Sequence, residues 1–407
     1  MKLPRKGMPK RDVFAEMKRR KAEDADWRAG KTWSLIYPAG EDVDEVLREA
    51  NDLYVFENAL NPFRFPSLRQ MEGEIVAMTC DLLGGSEASG GTLTSGGTES
   101  ILMAVKTARD RAREERGIER AHMLAPVSAH PAFAKAAQYL CVEHEQIPLG
   151  SDLRADVEAA RRMMRDDTVL VVGSAPNYPH GVVDPIAELA ALAAERGASF
   201  HTDACVGGFL LPFLERLGHD VPPFDFRVSG VTTISADIHK YGYATKGVSV
   251  IAHREQATLR HQMFLYDRWP GGMYGSPALA GARPAAPIAA AWAVMHYLGE
   301  EGYLGLSAKV LDTVERLRAG IEGIVGLHVW GEPIASVISF GSETLDVMAV
   351  GDVMDDRGWH LDRQVGPTAL HMMVTPNHAA VVDSFLADLR AAVTSHGPSR
   401  GKQARYS

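Results

Sequence analysis

The sequence predicts an α/β protein, in which a mostly parallel β-sheet is covered on both faces by helices and is followed by a smaller α+β domain. Through the middle of the 407-residue chain, continuous apolar runs of β type alternate with helical runs, which is the pattern of strands buried on both faces. From about Ala289 the pattern changes to long helices, short strands and a last helix. Because ligands of such sheets bind at the carboxyl ends of the strands, the residues that follow each strand are the candidates for function.

The predicted elements follow each other in a regular order. A first helix starts at Glu99. The predicted strands of the large domain are HMLAPVS (122–128), EQIPL (145–149), TVLVVGS (168–174), ASFHTDA (198–204), GVTTISA (230–236) and VSVIA (248–252), and the helices between them are PAFAKAAQYL (131–140), DVEAARRMMR (156–165) and PIAELAALAAERG (185–197). The smaller domain is predicted to contain helices at 289–299 and 307–324, the strands SVISF (336–340) and LHMMV (370–374), and a last helix. We expect an N-terminal segment at 1–60, a large domain at 61–288, a small domain at 289–396 and a disordered tail at 397–407.

Composition and charge argue against several classes of protein. A net charge of −9 and a pI of about 5.9 do not suit a general nucleic-acid binder. No apolar run approaches the length of a membrane span, and the basic first 31 residues lack the apolar core of a signal peptide. The three cysteines, Cys80, Cys141 and Cys205, have no metal-site spacing, so we expect reduced thiols, a cytoplasmic location and no zinc site.

The stretch TSGGTES (94–100) is the first candidate site. Gly96 and Gly97 are predicted to form a tight turn, Thr98 to cap the helix, and the helix to run from Glu99. A Gly-rich turn that enters a helix presents free N–H groups to an anion such as a phosphate. The alternative is an ordinary capped helix, and the missing GK[ST] excludes a Walker A loop.

Two charged residues follow later strands. Asp203 ends an apolar strand, where a partly buried carboxylate needs a cationic partner. It could cap a turn, or it could keep a pyridinium nitrogen protonated, as an aspartate does for pyridoxal 5′-phosphate (PLP) beside a Schiff-base lysine. Lys240, which lies 37 residues later in ISADIHKYGYATKG, fits that lysine, because a partly desolvated amine near a cation is a nucleophile at neutral pH. An exposed lysine is the alternative.

Two histidines extend this set. His239 directly precedes Lys240 and could hydrogen-bond the cofactor phosphate. His130, in SAHPAF, lies at a strand-to-helix junction on the same edge of the sheet, where it could stack on the pyridine ring or simply begin a helix. A Gly-rich turn, a strand-end aspartate and a later His-Lys pair, in that order, predict a PLP site.

These residues make the chain similar to the PLP-dependent fold-type I enzymes of the group II decarboxylase superfamily, and within it to the sphingosine-1-phosphate lyase family. The matching stretches include FPSLRQMEGEIV, TSGGTESILMAVK, APVSAHPAF, YPHGVVDP, HTDACVGGF, PFDFRVSGVTTISADIHKYGYATKG and GGMYGSPALAGARP. The resemblance extends from Leu3 to about His378 and implies an aspartate aminotransferase-like fold.

The resemblance also implies a role for each residue at a matching position. The residues around the ring would be Lys240 as the Schiff-base lysine, Asp203 at the pyridine nitrogen, His130 stacked on one face and Cys205 packed on the other. The cofactor phosphate would be held by Gly97, Thr98 and His239, together with Ser276 from the other subunit of a homodimer. The segment 1–60 would contribute to that dimer and to the active site. The phosphate and polar head of the substrate would face Tyr37, Asn58, Asn61 and Lys246.

The chain departs from the family pattern near the expected substrate entrance. The family reads Asn-Pro-Leu-His-Pro where this chain has NALNP (58–62), so Asn61 replaces a histidine that helps to bind the substrate phosphate. The stretch GARPAAP (281–287) likewise replaces Ser-Arg-Pro-Gly-Gly. Because charge-assisted hydrogen bonds to phosphate are about twice as strong as neutral ones, we expect a weaker preference for phosphorylated substrates.

The resemblance implies a PLP-dependent lyase that cleaves a (phosphorylated) long-chain amino alcohol by a retro-aldol reaction, giving an aldehyde and (phospho)ethanolamine. An amino-acid decarboxylase is the first alternative, because the same cofactor breaks whichever bond stands perpendicular to the ring. A catalytically inactive PLP-binding protein is the second alternative.

Overall fold

The computed structural model describes residues 2–61 and 63–401. The helices, in chain order, are α1 (Lys10–Lys21), α2 (Glu41–Leu53), α3 (Pro66–Leu82), α4 (Gly97–Arg116), α5 (Ala132–Leu140), α6 (Val157–Met163), α7 (Ile186–Glu195), α8 (Leu211–Arg216), α9 (Leu259–Gln262), α10 (Ala286–Glu322), α11 (Val347–Asp356) and α12 (Val382–Ser395). The strands are β1 (Gly90–Thr94), β2 (His122–Pro126), β3 (Glu143–Ile147), β4 (Thr168–Ser174), β5 (Ser199–Asp203), β6 (Thr233–Ala236), β7 (Ser249–His253), β8 (Phe264–Tyr266), β9 (Tyr274–Ser276), β10 (His328–Val329), β11 (Val337–Gly341), β12 (Asp362–Val365) and β13 (Thr368–Met373). Short 3₁₀ helices lie at Trp27–Ala29, Gln256–Thr258 and Pro376–Ala380.

The large sheet of the described chain has the strand order β1-β7-β6-β5-β4-β2-β3. The pairs from β3 to β6 are parallel, whereas β7 runs antiparallel to both β6 and β1. Every residue of β2, β4 and β5 is buried, as expected for strands covered by helices on both faces. The mostly parallel α/β fold is therefore confirmed, and the carboxyl ends of β2, β4, β5 and β6 lie at one edge of the sheet.

The bounds of some predicted elements differ from the structure. β3 begins two residues earlier than predicted. The two helices predicted at 289–299 and 307–324 are present as the two parts of α10, which meet at a kink where Gly299 is non-helical, with φ at 53°, so the second helix begins earlier than predicted. Tyr303, in the second part, packs on the large domain: its ring stacks on Phe213 at 5.0 Å and its hydroxyl donates to the carbonyl of Gly242 at 3.0 Å.

The small domain contains an antiparallel sheet with the order β10-β11-β13-β12, on which α11 packs, and α12 packs on α10 and α11. The N-terminal segment is fixed to this domain by Trp33, which is fully buried. The Trp33 ring stacks on His378 at 4.1 Å and contacts Phe385 at 4.8 Å, and the backbone N–H of Trp33 donates to the carbonyl of His360. This anchor places the residues that follow, including Tyr37, between the two domains. The domain boundaries stay predictions, and residues 402–407 of the predicted tail lie outside the described residues, as does Pro62 of the NALNP stretch.

No helix within residues 2–61 and 63–401 combines the length and apolar character needed to cross a lipid bilayer.

Candidate active site

The Gly-rich turn after β1 is shaped to bind an anion. α4 begins at Gly97, so the backbone N–H groups of its first turn have no partner within the helix. The prediction that Thr98 caps a helix starting at Glu99 is wrong, because Gly96 holds the capping position and Thr98 lies inside the helix. Glu99 instead fixes the turn, since its carboxylate accepts hydrogen bonds from the N–H and hydroxyl groups of Ser95 at 2.7 and 2.6 Å.

The turn packs closely against the ends of two other strands. A Cβ atom on Gly97 would lie 2.7 Å from Sγ of Cys205 and 2.9 Å from Oδ2 of Asp237. A Cβ atom on Gly96 would lie 3.3 Å from Cε1 of His239. The start of α4 therefore meets the residues that follow β5 and β6, and position 97 has room only for glycine.

Lys240 lies in the loop between β6 and β7, where it forms an ion pair. Its Nζ atom is 3.1 Å from Oδ2 of the buried Asp237. Burial opposes the charged form of Asp237, but nearby Lys240 and His239 outweigh burial and lower the pKa of its carboxyl group. His239 is mostly buried, and burial lowers the pKa of its ring. Its Nδ1 atom has no hydrogen-bond partner among the described residues, so this nitrogen is available to a ligand.

Asp203 is the last residue of β5 and is 7% exposed. Its Oδ1 atom accepts hydrogen bonds from the backbone N–H of Cys205 at 3.1 Å and from the hydroxyl of Ser235 at 3.2 Å. Both bonds fall on the same oxygen, which leaves Oδ2 for another donor. The position expected from the sequence, a carboxylate at a buried strand end, is the one observed.

His130 and Cys205 lie at two sides of the space in front of these residues. His130 follows β2, and its Nδ1 atom accepts a hydrogen bond from the N–H of Ala132 at 3.1 Å, at the start of α5. Burial lowers the pKa of the His130 ring, which favours the neutral form. Burial also raises the pKa of the Cys205 thiol well above its ordinary value, so this side chain is a packing group and not a thiolate.

Six of the eight cofactor-side residues predicted from the sequence, all except Asp203 and Ser276, line one cavity of about 270 Å³. The lining residues are Ser95, Gly96, Gly97, Thr98, Glu99, Ile101, His130, Cys205, Asp237, His239 and Lys240. Asp203 lies next to this lining and is bonded to the backbone of Cys205. The cavity thus brings together an anion-binding turn, an amine, an imidazole and a buried acid.

Tyr37 and Lys246, predicted to contact the substrate, come together beside this cavity. Lys246 donates a hydrogen bond from Nζ to the carbonyl of His239 at 2.8 Å, and the same atom lies 4.4 Å from the centre of the Tyr37 ring. Burial, with a further effect from nearby Lys240, lowers the pKa of Lys246 to about 8. Their role toward a substrate stays a prediction.

The two predicted substrate asparagines, Asn58 and Asn61, are both exposed, and both stabilise turns. Oδ1 of Asn61 accepts hydrogen bonds from the N–H groups of Phe63 and Arg64 at 3.0 and 3.3 Å. Oδ1 of Asn58 accepts from the backbone N–H of Arg283 at 3.2 Å. Oδ1 of each asparagine is therefore used in hydrogen bonds to the backbone. The predicted contacts of Asn58 and Asn61 with substrate stay predictions.

Ser276, predicted to reach the cofactor phosphate of the other subunit, is the last residue of β9. Its hydroxyl donates to the carbonyl of Ala278 at 2.9 Å. In the same segment, the backbone N–H of Leu279 donates to Oε1 of Glu99 at 2.7 Å, whereas Ser95 binds Oε2 of the same carboxylate. Glu99 therefore connects the anion-binding turn with the segment that carries Ser276.

A second cavity, of about 510 Å³, shares His130 with the first. It lies between the α5 side of the large domain and strand β12 of the small domain, and its lining is largely apolar. Its residues include Val127, His130, Phe133, Tyr178, His180, Val365 and His371. The Tyr178 hydroxyl donates to a carboxylate oxygen of Asp362 at 3.1 Å, which links the two domains across this cavity.

Comparison with known proteins gives the family. The family model described as the pyridoxal-dependent decarboxylase conserved domain matches residues 28–342. The sphingosine-1-phosphate lyase of Arabidopsis thaliana is 44% identical over 399 residues, which is 96% of this chain and 73% of that protein. The rat sphingosine-1-phosphate lyase 1 is 41% identical over 96% of this chain and 69% of that protein. This chain belongs to the sphingosine-1-phosphate lyase family.

Solved structures agree with this family. The sphingosine-1-phosphate lyase of Burkholderia pseudomallei is 42% identical, with a TM-score of 0.94 over 97% of this chain and 92% of that chain. A glutamate decarboxylase from Lactobacillus brevis has a TM-score of 0.85 at 19% identity, with coverage of 97% and 94%, and so shares the fold. The predicted fold-type I architecture is confirmed.

As a member of the sphingosine-1-phosphate lyase family, the protein is a PLP-dependent lyase. The cavity fits this cofactor on observations of its own. The free N–H groups at the start of α4 suit the phosphate, and His239, whose Nδ1 has no hydrogen-bond partner among the described residues, lines the same cavity. Lys240 supplies an amine at the cavity wall, and Asp203 has a carboxylate oxygen to spare.

Reasoning from the sequence missed three residues of this lyase-family site. Asp237 pairs with Lys240, Glu99 fixes the anion-binding turn, and Tyr178 lines the larger cavity. The spacing of Asp237 and Lys240, three residues apart, is a visible signal, because residues at this spacing meet in any tight turn. No comparable signal marks Tyr178, since its place depends on how the two domains pack.

Proposed function

We propose that this protein cleaves the Cα–Cβ bond of a phosphorylated long-chain amino alcohol by a retro-aldol reaction, releasing a long-chain aldehyde and phosphoethanolamine. The observation that carries the proposal is the pair of cavities that share His130. The smaller one holds the groups for PLP and the larger one is largely apolar. A substrate with a polar amino end and an aliphatic chain suits this arrangement. The relatives from Arabidopsis thaliana, rat and Burkholderia pseudomallei are each named sphingosine-1-phosphate lyase, which supports the same substrate class.

When bound, PLP supplies an electron sink for the electron pair released as the Cα–Cβ bond breaks. Lys240 provides the amine that attaches the cofactor, and Asp237 stabilises this amine when it is protonated. Asp203, through Oδ2, would hold a proton on the pyridine nitrogen. The first turn of α4 and His239 would bind the phosphate, and His130 would cover the ring and keep water from it.

The polar end of the substrate would be bound by Lys246 and Tyr37. The Lys246 ammonium lies within reach of both the cofactor cavity and the Tyr37 ring. A cation at this point attracts a substrate phosphate, and the aliphatic chain extends into the larger cavity past His130 and Tyr178.

A homodimer with shared active sites is part of the proposal. One chain exposes large apolar side chains in two segments near the site, among them Phe56 (95% exposed), Phe63 (84%), Leu265 (65%), Trp269 (55%) and Met273 (77%). Exposed apolar groups of this size are usually covered by a partner. Leu265, Trp269 and Met273 belong to the region that leads to Ser276, the residue predicted to reach the partner's phosphate site. A cytoplasmic location stays a prediction from the cysteine content.

Purified holoenzyme incubated with sphingosine-1-phosphate tests the proposal. We expect a long-chain aldehyde and phosphoethanolamine in equal amounts by mass spectrometry. Carbon dioxide and a simple amine from amino acids would favour the decarboxylase alternative instead. PLP absorbance without any product from either substrate class would favour the inactive PLP-binding protein.

A further inference from the structure

Two adjacent parallel strands place a chain of polar side chains behind Asp203. His201 and Asp203 alternate with Thr202 on β5, so they point to the same face of the sheet. On β6 the register pairs His201 with Thr233 and Asp203 with Ser235, and these partners also share that face. The four side chains therefore stand next to each other in the sheet.

Hydrogen bonds join these four side chains in the order Thr233, His201, Ser235 and Asp203. The His201 Nδ1 atom lies 2.8 Å from the Thr233 hydroxyl, and Nε2 lies 3.1 Å from the Ser235 hydroxyl. Ser235 donates to Oδ1 of Asp203 at 3.2 Å. All three residues behind Asp203 are buried: Thr233 is 4% exposed, and His201 and Ser235 are 0% exposed.

The charge on Asp203 determines where each proton lies. An ionised carboxylate only accepts hydrogen bonds, so the single Ser235 proton is committed to Asp203. Nε2 of His201 must then carry a hydrogen and donate to Ser235, and Nδ1 must accept from Thr233. Burial lowers the pKa of His201 to about 4, which keeps the ring neutral and allows this tautomer. Every polar side-chain atom of Thr233, His201 and Ser235 then has a hydrogen-bond partner.

We propose that Thr233, His201 and Ser235 are positioning residues that fix the Asp203 carboxylate, with Oδ1 occupied and Oδ2 directed to the pyridine nitrogen of the cofactor. The inference rests on the proposed role of Asp203 toward PLP. The residues act through Asp203 and do not touch the ring.

Further contacts of Asp203, Ser235 and His201 also fix the Asp203 carboxylate in place. The backbone N–H of Cys205 donates to Oδ1 of Asp203, and the Cys205 thiol donates to Ser235 Oγ at 3.3 Å. The ring of Phe133 packs edge-on to His201 with centroids 5.9 Å apart, which excludes water from the imidazole. The donors directed at Oδ1 of Asp203 hold the carboxylate in one orientation, with Oδ2 left for the pyridine nitrogen.

The test measures the ¹⁵N resonance of PLP labelled at the ring nitrogen, in holoenzyme that carries substitutions at Ser235 or Thr233. The variants Ser235→Ala and Thr233→Val each remove one hydroxyl, whereas Ser235→Thr keeps one. In native protein we expect the ¹⁵N resonance of a protonated pyridine. In Ser235→Ala it should move toward the unprotonated position, with kcat roughly tenfold lower and KM little changed, since one hydrogen bond to a charged group is lost. Thr233→Val should shift it in the same direction by less, and Ser235→Thr should restore it.

Matched control variants separate this role from a merely structural one. Thr168 on β4 bonds the buried His122 at 2.9 Å, like Thr233 with His201, but has no contact with Asp203. Ser339 in the small domain donates to Gln364 at 2.7 Å and is fully buried. Thr168→Val and Ser339→Ala should lose similar stability in thermal unfolding and keep the native ¹⁵N resonance.

Each outcome decides one question. If Asp203→Asn moves the resonance but Ser235→Ala and Thr233→Val leave it native, Asp203 keeps its proposed role and the positioning chain is refuted. If Asp203→Asn also leaves it native, the proposed role of Asp203 fails first. If the two control variants move the resonance as far as Ser235→Ala does, the effect is general loss of packing and the inference is wrong.

Discussion

The ammonium group of Lys240 and the carboxylate of Asp237 lie 3.1 Å apart in the tight turn that follows β6. The same carboxylate lies where a side chain at position 97 would be, 2.9 Å from a Cβ atom built on Gly97. Asp237 therefore contacts both Lys240 and the anion-binding turn. This contact joins the start of α4 to the loop after β6, two segments about 140 residues apart in the chain.

Asp237→Asn should let PLP attach to Lys240 at lower pH. The carboxylate stabilises the protonated amine, whereas attachment needs the free amine, so without the charge the free amine is present at lower pH. We expect the pH midpoint for the reaction of apoprotein with PLP to fall by about one unit, followed by visible absorbance. Asp237→Glu, which keeps the charge, is the control. An unchanged midpoint in Asp237→Asn would show that the ion pair does not govern attachment.

Lys240→Ala should abolish covalent attachment of PLP without unfolding the protein, because the side chain is at a cavity wall and not in the core. Borohydride reduction of native holoenzyme followed by peptide mapping should place the pyridoxyl group on Lys240. Lys246→Ala is the matched control, since Lys246 is a second amine next to the same loop and donates to the carbonyl of His239. Pyridoxyl label on Lys246 in native protein would overturn the assignment.

Gly97→Ala should weaken PLP binding strongly, because its Cβ atom would clash with Sγ of Cys205 and with the Asp237 carboxylate. Either the turn or the strand ends must move, and displacements of this kind typically cost about 1–3 kcal/mol, or roughly 5- to 150-fold in affinity. Gly73→Ala is the control, because Gly73 lies inside α3 with open space around its Cβ position. It should bind PLP normally and unfold at slightly higher temperature. Normal PLP affinity in Gly97→Ala would contradict the close packing described at this turn.

The sequence was sufficient to find most of the cofactor cavity. Asp203, Lys240, His130 and Gly97 each follow or precede an apolar strand, and the carboxyl ends of parallel strands meet at one edge of a sheet. Residues that follow different strands in the sequence therefore lie close together in the fold. The glycine turn was also visible, although its helix starts at Gly97 and has no Thr98 cap.

The remaining features depend on pairings that local patterns do not encode. The contacts of His201 and Ser235 with Asp203 require the β5–β6 register, in which a shift of one residue would turn the serine to the other face. The placement of the second part of α10 depends on Tyr303 packing on Phe213, a contact made across about 90 residues of chain. The larger cavity depends on the docking of β12 against the large domain, which no short motif specifies.

The preference for a phosphorylated substrate should depend on pH through Lys246. Because burial lowers the pKa of Lys246 to about 8, its ammonium is present below that pH and is lost above it. The kcat/KM for a phosphorylated amino alcohol, which reports ionisations of the free enzyme, should therefore fall about tenfold from pH 7 to pH 9 relative to its unphosphorylated analogue. The ratio to the unphosphorylated substrate cancels ionisations that affect both substrates alike. In Lys246→Arg the guanidinium stays charged, so the ratio should be flat over this range. A pH-independent ratio in the native enzyme would remove Lys246 from the phosphate site.

Asn61→His should test whether position 61 reaches the substrate. In the family a histidine stands here and helps Tyr37 and Lys246 to bind the phosphate, whereas Asn61 offers no charge and uses Oδ1 to hold the turn at Phe63 and Arg64. A new charge-assisted contact should raise the preference for phosphorylated over free substrate by about 5- to 30-fold in kcat/KM, or roughly 1–2 kcal/mol.

The substitution also removes the acceptor that holds this turn, so a control must keep the turn and lack the cation. Asn61→Asp meets this need, because its carboxylate accepts the same two N–H bonds. Asn61→Asp should lower the phosphate preference through like-charge repulsion if position 61 faces the substrate. If Asn61→His and Asn61→Asp both leave the preference at the native value while Lys246→Ala reduces it, the substrate phosphate is bound without position 61. A basic residue near the turn, such as Arg64, is then the next candidate for the missing cation.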